Sequence, residues 1–363
     1  MTIFDLPYLI HEMPDESRLR FSRIFRVDHV VGQCRVPQTM RAWVESRFGS
    51  VAAAEHQTVV SVTNLITFDG ALFNPLRRQR PMTIDDNPTL VTSSGDDMFA
   101  CPMDMTAEDM FGRVRGEYCI TASNIARWEG HGAVLIFDEP NPLVFTREHL
   151  RDYFRTSLVW AHRAHQQDPQ ARYFIWIWNG GPKGGATIQH AHAQIALRRG
   201  MHYAKVEMLR RVALNYHTQY RTNYFDDLLA AHEDIGLGLS AGRLRGFVYL
   251  AANRPKDTWI YGSAFDDDLA DALYGVMRLM IDRTNMRTFD VAVIMPPIFP
   301  PSTKSRSADD QDEEEDWSGF PVIVRLCDRG APHAHSSDIG ALDLYAHNTI
   351  TSDPFEIKRL LEA

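Results

Sequence analysis

Cysteine is scarce in this sequence, and its few copies lie far apart. The 363 residues contain four cysteines, at positions 34, 101, 119 and 327. This spacing shows neither a disulfide framework nor a Cys-x-x-Cys pair. Because such usage suits a reducing compartment, we expect a cytoplasmic protein.

Long apolar runs and an excess of positive charge are also missing. No apolar run approaches the roughly 18–20 residues that span a bilayer. The N-terminal residues lack the basic start and apolar core of a signal peptide. The net charge is −9, which argues against nucleic-acid binding through the whole surface. We therefore expect neither a membrane nor a nucleic acid as partner, and any affinity for phosphate must be local.

One stretch, residues 179–197, stands out from an otherwise ordinary composition. It reads NGGPKGGATIQHAHAQIAL. If it alternates as a strand from residue 188, His190, His192 and Gln194 share one face, and Gln189, Ala191 and Ala193 occupy the other. The preceding glycine-rich loop can turn backbone N–H groups toward an anion, with Lys183 as a nearby cation.

Two imidazoles and an amide on one face allow three interpretations. A neutral imidazole can attack phosphorus beside a phosphate-binding loop, with its neighbours donating hydrogen bonds to phosphoryl oxygens. The histidines can instead be structural residues with satisfied hydrogen bonds. A His-x-His pair on a strand is also a common half of a metal site. Spacing alone leaves all three open.

The stretch resembles the active-site segment of the galactose-1-phosphate uridylyltransferase-like branch of the histidine triad superfamily. That branch also holds dinucleoside tetraphosphate phosphorylases and ADP-glucose phosphorylase. The residues that match its pattern are Asn179, Gly181, Gly185, Thr187, His190, His192 and Gln194. The resemblance implies that His192 is the nucleophile that becomes nucleotidylated and that Gln194 contacts the transferring phosphoryl group. Hydrolase branches carry a third histidine at the position of Gln194, so the glutamine favours transfer over hydrolysis.

The same resemblance suggests further nucleotide contacts outside this stretch. Taken alone, the arginines after Asn74 read as a solvated charged loop. The family has a similar Asn-Pro-Leu segment followed by basic residues, some of which contact the nucleotide, and this makes Arg77 and Arg80 candidates. Asn124 aligns with a family asparagine near the base or ribose, and its alternative role is that of a turn residue. With Lys183 and the glycine loop, these residues form the expected nucleotide-binding set.

A family zinc site is degenerate in this chain. His190 corresponds to a histidine that is a metal ligand in some members, and Cys101 matches the first cysteine of a Cys-Pro-x-Cys pair. Asp104 replaces the second cysteine, and residues 137–143 offer no histidine as the remaining ligand. A structural zinc site needs four good ligands. We therefore expect no metal or other cofactor and predict that Cys101 is a small buried residue.

The expected fold class is α+β, with two related halves that each form a mostly antiparallel sheet with helices packed on one face. Predicted strands cover residues 58–68, 117–124, 133–137, 172–178, 245–252, 289–295 and 320–326, and predicted helices cover residues 146–167, 201–233, 266–283 and 354–361. Thr146 and Asp266 are the expected N-caps of two of the helices. The resemblance implies two histidine-triad-type halves, residues 1–200 with the catalytic motif and residues 201–363 without it. Residues 301–318 read as an acidic, mobile insertion.

The tail adds a second His-x-His pair, His333 and His335. In the family the equivalent region reaches the phosphorylated acceptor, so these residues either bind acceptor phosphate or are exposed loop histidines. We predict a nucleotidyltransferase with a nucleotide or nucleotide sugar as donor and phosphate or a sugar phosphate as acceptor. A phosphorylase that uses inorganic phosphate and a non-catalytic nucleotide-binding protein are the alternatives. A homodimer remains an open option.

Overall fold

The computed structural model describes most of the chain. The described residues are 1–79, 97–186, 188–300, 315–332 and 341–362, without the side chains of residues 78 and 79. Within these ranges the α-helices are α1 (Leu6–Glu12), α2 (Asp15–Ile24), α3 (Arg41–Phe48), α4 (Val51–Glu55), α5 (Pro102–Met105), α6 (Arg147–Gln167), α7 (Ala204–Tyr220), α8 (Tyr224–Asp234), α9 (Asp267–Arg283) and α10 (Pro354–Glu362). None of these helices is long and apolar enough to cross a membrane.

The strands of the described ranges form two sheets. They are β1 (Phe25–Gln33), β2 (His56–Asn64), β3 (Gly70–Phe73), β4 (Cys119–Ser123), β5 (His131–Phe137), β6 (Tyr173–Gly180), β7 (His192–Arg198), β8 (Gly238–Ala241), β9 (Leu244–Val248), β10 (Thr258–Gly262), β11 (Phe289–Ile294), β12 (Val322–Asp328) and β13 (His347–Ile350). A small sheet has the order β1-β2-β3-β13, and a nine-stranded sheet has the order β4-β5-β7-β6-β11-β12-β10-β9-β8. The expected α+β class with antiparallel sheets is confirmed.

The large sheet contains the same strand order twice. In chain order, β4, β5, α6, β6 and β7 make a first unit, and β9, β10, α9, β11 and β12 make a second. In both units the strands lie in the sheet as first, second, fourth, third. The two third strands, β6 and β11, pair antiparallel with each other. The expectation of a separate sheet for each half is therefore wrong, because this pairing joins the edges that two separate sheets would leave open.

Helices α6 and α9 cover one face of the large sheet. Their buried residues pack with strand residues of both units, including Trp176, Trp178 and Phe289. Each helix begins as its sequence predicts: the Thr146 side chain accepts a hydrogen bond from the His149 N–H, and the Asp266 side chain accepts one from the Leu269 N–H. These caps satisfy backbone donors that have no partner inside the helix.

The opposite face is covered over the second unit by a second core. Buried residues of α2, α7, α8 and the small sheet pack there against β9 and β10. The small sheet takes its last strand, β13, from the C-terminal part of the chain, where it runs parallel to β3. The sequence did not indicate this strand, because its four residues carry no clear alternation.

Part of the predicted mobile insertion is packed. The Glu315 carboxylate accepts hydrogen bonds of 2.8 Å from both Arg172 and the Tyr173 hydroxyl. The Trp317 ring lies 5.2 Å from the Phe320 ring and beneath the Arg210 guanidinium. Residues 315–318 of the predicted insertion thus make packing contacts, while residues 301–314 lie outside the described ranges.

A buried ion pair ties the second unit together. The Arg325 side chain of β12 donates from Nε to Asp257 Oδ1 at 3.0 Å, and the Trp259 indole donates to the same oxygen at 3.0 Å. The Asp257 side chain is fully buried and that of Arg325 is 18% exposed. Removal of one partner from such a pair leaves a charge without compensation in a poorly solvated site.

We predict that Asp257→Ala lowers the free energy of unfolding by about 3–5 kcal/mol, because Arg325 loses its counter-ion. Urea unfolding followed by tryptophan fluorescence measures this change. Asp138→Ala is the matched control, because Asp138 pairs with Arg115 at the surface, where both side chains are about half exposed. We expect the control to lose less than about 1 kcal/mol. Equal losses in the two variants would contradict the prediction.

Candidate active site

The strand β7 begins at His192 and not at residue 188, and from His192 onward its side chains alternate as the sequence predicts. Ala191 and Ala193 belong to the core beneath α6 and α9. His192 and Gln194 point to the other face, where they lie opposite Ile136 and Val134 of β5. A small apolar cluster that includes these two β5 residues and Phe99 lies on that side. The first unit thus carries its polar residues on the face that α6 does not cover.

His192 is held with one ring nitrogen occupied. Its Nδ1 lies 2.8 Å from the backbone carbonyl oxygen of His190. A carbonyl only accepts hydrogen bonds, so Nδ1 carries the proton and donates. In the neutral ring the lone pair is then on Nε2, which makes no hydrogen bond within the described residues. Burial lowers the pKa of His192 below its usual value, which favours this neutral form.

His190 has acceptors on both sides of its ring. Nδ1 lies 2.8 Å from the Asp97 carboxylate, and Nε2 lies 2.8 Å from the carbonyl oxygen of Phe137. Because the two partners are both acceptors, the ring satisfies both only when both nitrogens are protonated. His190 is buried, and these two contacts fix its position. Its ring orients the strand, and its carbonyl orients His192.

Asp97 is a site residue that no sequence motif predicts. It is the N-cap of the short 3₁₀ helix Met98–Ala100, where its Oδ1 accepts a hydrogen bond of 3.0 Å from the Phe99 N–H, while Oδ2 faces His190. Phe99 meets both histidine rings edge to face, with centroids 5.0 Å from His192 and 6.0 Å from His190. An aspartate before a helical turn signals a cap, but nothing local shows that it meets a histidine 93 residues later.

Gln194 has one described hydrogen-bond partner. Its Oε1 accepts from the Trp128 indole N–H at 3.2 Å. Trp128 lies in the connection between β4 and β5 and is 45% exposed. No local motif marks this tryptophan, because it lies 66 residues from Gln194 in the chain.

The glycine-rich loop follows β6 directly. Gly181 and Gly185 have φ angles of +76° and +87°, which glycine adopts without strain. A Cβ atom on Gly184 would lie 2.8 Å from the backbone nitrogen of Gly180, so the turn closes too tightly for a side chain. Lys183 lies in this turn and is half-buried.

Asn179 belongs to the same face as the histidine pair. Trp176 and Trp178 of β6 point into the core with α6 and α9, so the alternating residue Asn179 points to the other side. It pairs across the sheet with Asp290 of β11. The structure therefore brings Asn179, His190, His192 and Gln194 to one face, next to the glycine loop.

Of the other predicted binding residues, the structure describes Asn124 and Arg77. Asn124 follows β4, and its backbone N–H bonds to the Gly132 carbonyl at 3.3 Å. Arg77 lies on the 3₁₀ helix Pro75–Gln79, which packs against α3. Arg80, Thr187, His333 and His335 lie outside the described residues. Their roles stay predictions.

The residues of the expected degenerate zinc site do not fit a metal. Cys101 is exposed, so the prediction that it is buried is wrong; it caps the four-residue helix α5, which leaves it at the surface. Asp104 is also exposed, whereas His190 is buried with both nitrogens facing acceptors. Among the described residues no three histidine, cysteine or acidic side chains are grouped closely enough to hold a metal ion.

The sequence matches no protein-family model and no curated protein, but its fold matches solved structures. An ADP-glucose phosphorylase from Arabidopsis thaliana with bound ADP-glucose has a TM-score of 0.57 and 14% identity, over 82% of this chain and 95% of that one. A uridylyltransferase structure has a TM-score of 0.55 and 14% identity, over 83% and 96%. A GalT-like protein from Arabidopsis thaliana has a TM-score of 0.56 and 13% identity, over 82% and 97%.

These identities are low, so the matches establish the fold alone. The chain has the fold of the ADP-glucose phosphorylase, uridylyltransferase and GalT-like structures. The resemblance that residues 179–194 suggested is confirmed at that level.

We predict less than one tightly bound zinc per chain, because two of the surviving candidate ligands are exposed and the third is occupied by Asp97 and a carbonyl. Elemental analysis of protein purified without added metal measures the zinc content. One zinc per chain, retained through dialysis against a chelator, would contradict the prediction.

Proposed function

We propose that this protein is a nucleotidyltransferase that works through a covalent nucleotidyl-histidine at His192. The donor is a nucleoside diphosphate sugar or a related nucleotide, and the acceptor is a phosphate or a sugar phosphate. The observation that carries the proposal is the hydrogen bond from His192 Nδ1 to the His190 carbonyl. It leaves the lone pair on Nε2, at the face that also carries Gln194 and Asn179.

In the first step, Nε2 of His192 attacks the α-phosphorus of the donor. A P–N bond forms, the bond from that phosphorus to the bridging oxygen breaks, and the sugar phosphate or phosphate leaves with the electron pair. The ring then carries a positive charge, because Nδ1 keeps its proton. The His190 carbonyl oxygen stabilises that charge through the same hydrogen bond.

In the second step, an oxygen of the acceptor phosphate attacks the same phosphorus. The P–N bond breaks, its electron pair returns to Nε2, and the nucleotide leaves on the acceptor. Throughout both steps the Gln194 amide and the backbone N–H groups of the glycine loop donate to phosphoryl oxygens. Holding the two phosphates in one place supplies much of the rate enhancement.

The two units of the large sheet correspond, in this proposal, to two histidine-triad-like halves of which only the first is catalytic. Residues 1–200 and 201–363 are the proposed halves. The repeated strand order supports this division. Strand β12 holds the position in the second unit that β7 holds in the first, and its sequence VIVRLCD contains no histidine. Arg77, Arg80 and Asn124 remain proposed nucleotide contacts, and His333 and His335 remain proposed acceptor contacts.

A phosphorylase reaction is the second candidate. The mechanism is the same, and inorganic phosphate replaces the sugar phosphate as acceptor. The fold match to an ADP-glucose phosphorylase with bound ADP-glucose supports this candidate. Comparison of inorganic phosphate with sugar phosphates as acceptors for the labelled protein separates the two reactions.

We predict that the protein takes up label from a nucleotide carrying ³²P at its α-phosphorus when no acceptor is present. ADP-glucose, UDP-glucose and a dinucleoside tetraphosphate are the donors to test. The bond should be acid-labile and stable in alkali, as a phosphoramidate is. His192→Asn should abolish labelling, because an amide is a poor nucleophile. Gln194→Ala should slow it by about 100-fold while the nucleotide still binds.

The control for the nucleophile is His29→Asn. His29 is an exposed histidine of β1 in the small sheet, and its replacement should leave labelling unchanged. Full turnover by His192→Asn on an identified substrate would eliminate the covalent mechanism.

We also predict that the labelling rate is constant from pH 8 to about 6.5 and falls only at lower pH. Attack requires the neutral ring, which predominates above its pKa. Because burial lowers the pKa of His192, the neutral form persists below the usual histidine value of about 6.5. Single-turnover labelling across this pH range measures the profile. A rate that has already halved at pH 6.5 or above would show that the pKa of His192 is not lowered.

A further inference from the structure

The contact between Trp128 and Gln194 determines which end of the amide faces the site. An indole nitrogen donates and never accepts, so the oxygen of the Gln194 amide faces Trp128, at 3.2 Å. The amide NH₂ group therefore points the other way. In the part of the chain that the structure describes, this NH₂ group donates to no other residue.

The loop that carries Trp128 is anchored on both sides of it. Arg127 donates to the Gly130 carbonyl at 3.0 Å and to the buried Asp109 carboxylate at 3.4 Å. Glu129 accepts a hydrogen bond of 2.6 Å from the Tyr203 hydroxyl. With its two neighbours tied down, the Trp128 ring also packs edge-on against the Tyr203 ring, at 6.2 Å between centroids, so the protein itself holds the indole beside Gln194.

The distance from Gln194 to His192 suits a shared phosphoryl group. The two residues lie on the same face of β7, two positions apart, which is about 6.6–6.8 Å along a strand. A phosphorus atom bound to Nε2 of His192 places its oxygens between the two side chains. An amide turned the opposite way would present its oxygen to these negatively charged atoms and repel them.

We propose that Trp128 is a positioning residue that holds the Gln194 amide with its NH₂ group toward the transferring phosphoryl group. Trp128 acts through Gln194 and touches no reacting atom. This inference rests on the proposed function, because it assigns Trp128 a part in the transfer step.

Trp128→Phe removes the indole N–H and keeps an aromatic ring. We expect the rate constant for single-turnover labelling to fall about tenfold at saturating nucleotide, the effect of one hydrogen bond worth about 1.4 kcal/mol. The half-saturating nucleotide concentration should change less than about twofold, because the amide acts mainly in the transition state. Trp43→Phe is the matched control, since Trp43 is 48% exposed and lies on α3, outside the large sheet; it should leave both values unchanged.

A double-mutant cycle tests whether Trp128 acts on the labelling rate through Gln194. In the Gln194→Ala background, Trp128→Phe should slow labelling by less than about twofold, because its target is gone. An equal tenfold loss in that background would overturn the proposal, as would wild-type kinetics in the single Trp128→Phe variant. Either result would mean that Trp128 does not act through the amide.

A measurement without substrate separates this inference from the proposed function. The NMR signal of the Trp128 indole N–H can be identified by its loss in Trp128→Phe. This hydrogen should exchange with solvent about tenfold faster in Gln194→Ala than in the wild type. Unchanged exchange would overturn the positioning role. If the wild type takes no label from any donor, the proposed function and the catalytic part of the inference fail together, and the exchange result still decides whether Trp128 fixes the amide.

Discussion

The hydrogen bond from His192 Nδ1 to the His190 carbonyl is the interaction on which the candidate site depends. It exists because the chain is irregular just before β7. Ala191 bonds to the backbone of Pro140 and Phe137, whereas regular pairing with β5 begins only at His192. The His190 carbonyl is therefore free of the sheet ladder and available to the next side chain on its face. One departure from regular strand geometry thus determines the tautomer of His192.

The same constraint explains why His190 is buried and yet unsuited to a metal. A ring nitrogen that donates a hydrogen bond has no lone pair for a metal ion. Both ring nitrogens of His190 face hydrogen-bond acceptors. Asp97 supplies the orienting contact on one side of the ring. It also caps the turn that carries Phe99 against His192. The carboxylate therefore fixes the histidine pair through two separate contacts, with no coordinated ion needed for either.

The separation along the chain between interacting residues explains which features the sequence predicted and which it missed. The shared face of His192 and Gln194 and the caps Thr146 and Asp266 depend on residues within a few positions, so a local pattern reveals them. Asp97 meets His190 across 93 residues, and Trp128 meets Gln194 across 66. No periodicity encodes such contacts. The pairing of β6 with β11 was missed for the same reason, since either strand is a plausible sheet edge when considered alone.

The pairing of β6 with β11 also gives the second unit a part in the site, although its fourth strand carries no histidine. A Cβ atom on Gly180 would clash with the Phe289 ring, and one on Gly181 would lie 2.8 Å from the Arg287 carbonyl oxygen. The glycine loop is therefore shaped against residues at the start of β11. Close packing with the second unit requires glycine at positions 180 and 181. The positive φ angle of Gly185 requires glycine there. Residues of both units therefore shape the chain that leaves β6.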